Sequence, residues 1–248
     1  MNAQPRESEI KTADGTAHAW WYRGGEEPRA AMLLYPDAGG VRPAMHAMAE
    51  RIAKLGYLVM LPNVFYRAGE IAPFDMATAF SEPSERARIM ELMGSLTPER
   101  VAADSGAYLD AIVAAHHVRP DRIGIIGYCM GGRMSFLTAG LHPEKVRAAA
   151  SFHGGSLATD RPDSPHRLAD RIRAALYFAV ADHDASCPPE QQGILASALG
   201  AAHVNYRIEL YPGKKHGFAV ADHAAAYDRE AADRHWSRLE SFFGETLA

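Results

Sequence analysis

The segment that most constrains the fold is Arg122-Ile123-Gly124-Ile125-Ile126, followed at once by Gly127-Tyr128-Cys129-Met130-Gly131-Gly132. A β-branched run leads in, and a helical pattern from Arg133 to Ala139 leads out. The chain must therefore turn from strand to helix within a few residues, with Cys129 at the apex. Such a turn strains the apical residue, and side chains two positions away on either side would collide with the strand or the helix. Glycines at 127 and 131 meet that demand. A sulfur at this apex sits at a helix N-terminus, where the positive end of the dipole favours a thiolate.

The rest of the chain repeats this alternation of β-rich runs with helical patterns. A hairpin is expected from Ile10 to Thr12 and Ala17 to Tyr22, around Asp14-Gly15. Strands are expected at Ala30 to Tyr35, Tyr57 to Leu61, Ile123 to Ile126, Ala148 to Phe152, Ala174 to Ala181 and Tyr206 to Tyr211. Helices are expected at Pro43 to Leu55, Ser84 to Met93, Pro98 to His116, Pro189 to Leu199 and Ala224 to Phe243. The pattern predicts one α/β domain over residues 1–248, with a mostly parallel central sheet and helices on both faces. Ligands then sit at the carboxyl ends of the strands.

A net charge of −4 over 248 residues gives no reason to expect a nucleic-acid or membrane-surface partner. The N-terminus is polar and no apolar run is long enough for a bilayer span. Two cysteines form no disulfide framework, which suggests a reducing cytoplasm. The 12 histidines contain no metal-ligand pairing such as HExxH, so neither metal nor cofactor is implied.

Three further segments fall at strand ends. Among the histidines, His216 lies in the Gly-containing loop after the last strand, downstream of Cys129. Nucleophile, acid, histidine is the order this strand-turn-helix architecture uses. Asp182 and Asp184 compete for the acid, which would hold the imidazole tautomer. The turn Tyr35-Pro36-Asp37-Ala38-Gly39-Gly40 exposes backbone N–H groups, and Ala38 and Met130 are the expected donors to a developing oxyanion.

Together these pieces give the chain an α/β-hydrolase pattern, and it resembles the dienelactone hydrolase family. The resemblance rests on Gly-Tyr-Cys-Met-Gly-Gly at 127–132, Asp184 four residues before Pro188, and His216-Gly217-Phe218. Asp37-Ala38-Gly39-Gly40 and Leu61-Pro62-Asn63-Val64-Phe65-Tyr66 match as well. It implies a Cys129–His216–Asp184 triad cleaving a small ester or lactone through a thioester, and it favours Asp184 over Asp182, which is left as a turn cap. By the same resemblance Asp37 replaces a glutamate that helps to deprotonate the thiol, while the residue by itself reads equally as a turn or cap aspartate. An arginine that would clamp a substrate carboxylate is replaced by Val220, which predicts an apolar side of the pocket there. Arg86 or Arg88 would stand for a second arginine, although in Ser84-Glu85-Arg86-Ala87-Arg88 they read rather as the solvated face of a charged helix; Tyr66, Arg67, Phe218 and His153, which otherwise caps its loop, are further candidates for substrate contact. Two other readings of the same residues are a ligand-binding α/β domain without catalysis, and acyl transfer to an acceptor other than water.

Overall fold

The computed structural model describes residues 5–115 and 119–248. Eight strands form one sheet in the order β1-β2-β4-β3-β5-β6-β7-β8. They are β1 (Arg6–Thr12), β2 (Gly15–Arg23), β3 (Ala30–Tyr35), β4 (Tyr57–Pro62), β5 (Ile123–Tyr128), β6 (Ala148–Phe152), β7 (Ala175–His183) and β8 (Tyr206–Lys215). β1 and β2 form an antiparallel hairpin, β2 runs antiparallel to β4, and every other pairing is parallel. β3, β4, β5 and β6 are buried at every residue, as strands covered on both faces must be.

The helices are α1 (Pro43–Lys54), α2 (Pro83–Gly94), α3 (Pro98–Ala114), α4 (Met130–Leu141), α5 (Pro189–Ala201) and α6 (Arg229–Thr246). Strand residues alternate between two cores. Leu33, Ile125 and Phe178 pack in one, with α3 and α4, while Met32, Ile126 and Phe152 pack in the other, with α1 and α6. The eight-stranded, mostly parallel sheet with these helices is the α/β-hydrolase architecture.

Element positions agree with the sequence patterns within a few residues, with one exception of consequence. α6 begins at Arg229 rather than Ala224. Residues 221–226 instead fold into a turn, in which the Ala226 and Tyr227 N–H groups both donate to the His223 carbonyl. Asp228 then caps α6 by accepting from the Ala231 N–H at 2.9 Å. α3 is described to Ala114, and the expected end at His116 lies outside the described residues. Two short 3-10 turns, Tyr66–Ala68 and Pro165–Arg171, carry no pattern that announced them.

Candidate active site

Cys129 connects β5 to α4 with φ 56° and ψ −117°, a left-handed conformation that a non-glycine residue adopts only when its surroundings impose it. A Cβ on Gly127 would lie 1.9 Å from the Gly131 carbonyl oxygen, and one on Gly131 would lie 2.5 Å from the carbonyl oxygens of Tyr35 and Pro36. The two glycines thus let the strand and helix close on each other and let the elbow press against the loop after β3. The Cys129 N–H donates to Phe152 O at 3.0 Å, which ties the apex to β6. Among the described residues, the Met130 and Ala38 N–H groups donate to no backbone carbonyl.

His216 ends the β8 excursion, and its Nδ1 lies 2.8 Å from Asp184 Oδ2. Asp184, after β7, is buried, and its Oδ1 accepts from the Ser186 N–H at 2.8 Å and the Ser186 hydroxyl at 2.5 Å. Ser186 Oγ is also 3.1 Å from His216 Nδ1. Burial by itself would disfavour a charged imidazole. The neighbouring Cys129 sulfur and the hydrogen bond and charge of Asp184 outweigh burial and hold His216 well above the usual histidine range. Burial would also raise the Asp184 carboxyl, but its bonds to His216 and Ser186 hold it below the ordinary value. Asp182 accepts from the Gly213 N–H at 3.1 Å and serves as a turn cap.

A cavity of about 980 Å³ opens over this group, with Cys129, Met130, Asp184, Ser186 and His216 in its wall. Cys187, by contrast, is 1 % exposed, and burial with the nearby Asp184 charge pushes its thiol up to about 12. Both cysteines are free.

Asp37 is fully buried and fully engaged. Its carboxylate accepts from Arg42 Nη1 at 2.6 Å and Nη2 at 2.9 Å, and from the Gly39 N–H at 2.9 Å. Its Oδ2 also lies 3.0 Å from His223 Nε2. Arg42 reaches on to Asp222 at 2.7 and 2.8 Å. Burial would raise the Asp37 carboxyl, yet His223 and Arg42 hold it far below the usual carboxylate range. Asp37 therefore ties the loop after β3 to the loop after His216, and its bonding partners are Arg42, Gly39 and His223 rather than the thiol.

The remaining expected contacts move away from the cavity. Arg67 makes a bidentate pair with Asp104 of α3 at 2.7 and 2.8 Å and reaches Asp14 at 2.8 Å. Tyr66 donates to Asp104 at 3.0 Å and pairs with Thr12. Both residues clamp the β1–β2 hairpin onto α3. Arg88 pairs with Glu85 and lies over the Phe74 ring, and Arg86 is exposed on α2. Val220 is completely buried in the core beside α6, so it does not make the pocket wall apolar as expected. Phe218 is buried and stacks on Tyr211 with centroids 4.5 Å apart. His153, at φ 40°, packs edge-on to His216 and Phe218, each at 5.2 Å. Burial, with the charge of His216 next, pushes His153 well below the usual histidine range.

Sequence reasoning passed over Ser186, Arg42, Asp222 and His223. Only Ser186 carried a local signal, since Asp-x-Ser favours the turn in which an aspartate accepts from the N–H two residues on. Among the described residues no cluster of His, Cys, Asp or Glu is fit to hold a metal ion, and no helix is long and apolar enough to cross a membrane.

Fold and site together define an α/β-hydrolase. The sequence profile of the dienelactone hydrolase family matches residues 18–247, and the chain belongs to that family of ester and lactone hydrolases. A Synechocystis sp. protein named "Putative carboxymethylenebutenolidase" is 30 % identical over 219 residues, covering 87 % of this chain and 86 % of the relative. A crystal structure from Klebsiella pneumoniae, described as a "Putative Dienelactone Hydrolase", superposes with a TM-score of 0.82 at 25 % identity, over 98 % of this chain and 99 % of that one. The dienelactone hydrolase-like promiscuous phosphotriesterase P91, from metagenomic libraries, shares the fold with a TM-score of 0.78 at 22 % identity, over 98 % of this chain and 99 % of that one.

Proposed function

We propose that this hydrolase cleaves a small-molecule ester or lactone with Cys129 as nucleophile, His216 as base and Asp184 as the acid that orients it. The observation that carries this reading is the strained Cys129 at the start of α4, sharing one cavity wall with a His216 whose Nδ1 is held by Asp184. With Nδ1 taken, Nε2 is the nitrogen left for the thiol proton. His216 accepts that proton, and its raised proton affinity suits it to hold the charge. The sulfur attacks the carbonyl carbon, and the N–H groups of Met130 and Ala38 receive the oxyanion. The C–O bond breaks as His216 returns the proton to the leaving oxygen. Water then gives a proton to His216 and its hydroxide to the acyl carbon. The C–S bond breaks, and the sulfur recovers its proton. All of these groups come from one α/β-hydrolase domain.

Alkylation with mass-spectrometric readout tests the assignment. Iodoacetamide should modify Cys129 and abolish ester hydrolysis together, while Cys187 stays unmodified until the protein is denatured. An acid-quenched turnover should carry the acyl group on the peptide that contains Cys129. Hydrolysis that survives complete alkylation of Cys129 would refute the mechanism.

A further inference from the structure

The cavity is far larger and more apolar than a small polar lactone requires. Its walls beyond Cys129 come from the segment before α2, from α2 itself and from α4, through Met76, Phe80, Met90, Met93, Met134 and Leu137. Phe80 is 44 % and Met90 55 % exposed, so two large apolar side chains stand in water around this cavity. Exposed apolar surface that continues into a pocket marks a surface awaiting an apolar ligand. Methionine, unbranched and polarisable, moulds itself to ligands of varied shape.

The two arginines of the same cavity already have partners, and they share one carboxylate, Asp163. Arg133 Nη1 donates to Ser156 O at 2.6 Å, and Nη2 donates to Asp163 O at 3.0 Å. Arg161 Nε donates to Asp163 Oδ1 at 2.9 Å, and Asp163 Oδ2 lies 3.4 Å from Arg133 Nη2. A substrate carboxylate would compete with Asp163 and these carbonyls for Arg133, and it would meet Arg161 only at a side chain 74 % exposed to water, where an ion pair is worth little. Tyr66, Arg67, Arg86 and Arg88 stand outside the cavity wall.

We infer that the substrates are neutral esters carrying a long or bulky apolar group, which lies along the methionine-lined arm between α2 and α4. This deepens the reading of the Cys129 site and rests on it. Full burial of one methylene is worth about 0.8 kcal/mol, or roughly fourfold in binding.

The test uses two series on the intact enzyme. One varies the acyl chain of p-nitrophenyl esters from acetate to octanoate, and the other varies the alcohol of straight-chain acetate esters from ethyl to octyl. In at least one series kcat/KM should rise about two- to fourfold per methylene, and the series that rises tells which half of the ester fills the arm. A matched pair, p-nitrophenyl hexanoate against the p-nitrophenyl half-ester of adipic acid, should favour the neutral member. Met90→Asp and Met93→Asp should each reduce the octanoate-to-acetate ratio by about tenfold, because a carboxylate in the arm opposes apolar burial. Circular dichroism establishes that these variants fold, and Met90 is exposed enough to accept the change.

Two flat or falling series, or preference for the anionic half-ester, would overturn the inference. Cys129→Ala separates the two ideas. Activity retained in that variant defeats the nucleophile assignment, whereas the chain-length dependence of the wild type judges the pocket alone.

Discussion

Replacing Asp37 by asparagine separates a scaffold from a proton acceptor. The carboxylate is completely buried and takes two bonds from Arg42, one from the Gly39 N–H and one from His223. An asparagine supplies one oxygen, and its amide would face at least one of those donors, N–H against N–H. It also removes one of the two counter-charges of Arg42, which is itself 8 % exposed. Breaking a buried ion pair costs about 3–5 kcal/mol because the surviving charge is left in a poor solvent. Arg42 keeps Asp222, whose side chain is 37 % exposed, so the lower end, about 3 kcal/mol, is expected. At about 2–4 °C per kcal/mol for a chain of this length, Tm should fall by about 6–12 °C. The assay is thermal unfolding beside steady-state ester hydrolysis at the same pH. The variant should lose stability first, with a loss of kcat no larger than about tenfold, from loosening the loop that carries Ala38. An unchanged Tm with a loss of kcat of about a thousandfold would refute this account and would make Asp37 a direct partner of the thiol.

Two further outcomes follow from neighbouring groups. Asp184→Asn should lower kcat by about 10²–10⁴, as loss of a triad aspartate does elsewhere. Asp182→Asn, which removes only a bond to Gly213 N–H, should cost far less, and the reverse ranking in steady-state kinetics would reassign the acid. His235 is buried on α6 against Tyr128 Oη at 2.7 Å, and burial holds its pKa at about 3. An unfolded histidine titrates near 6.5, so between about 6.5 and 3 the unfolded chain binds a proton that the native state refuses. Stability from this site is complete above about 6.5 and falls with acid by at most about 1.4 kcal/mol per pH unit. His153, also pushed down by burial, adds a loss of the same sign. His235→Gln should therefore flatten the acid limb of Tm against pH without abolishing it, and parallel curves for the two proteins would count against the argument.

What the sequence disclosed and what it hid divide along one physical line. The elbow was legible because its cause is local: Gly127 and Gly131 are required by atoms within a few residues, or by the loop pressed against them. β3 and β6 were legible because they are short, fully buried and mostly apolar runs with clear ends. The start of α6 was misplaced because Ala224-Ala225-Ala226 has good helix propensity. The His223 turn and the Asp228 cap override it through bonds that propensity does not see. Charged residues fared worst. Arg67 reads as a pocket residue until Asp104, on a different helix, takes its guanidinium, and Asp37 reads as a thiol activator until Arg42 and His223 take its oxygens. A buried charge is committed by its counter-charge, and nothing in the spacing of a sequence says which counter-charge the fold will bring. The methionine arm was hidden for a related reason. Met90, Met93 and Met134 carry the same signature as a core stripe, and only the unfilled space beside Cys129 distinguishes a binding wall from a packed one.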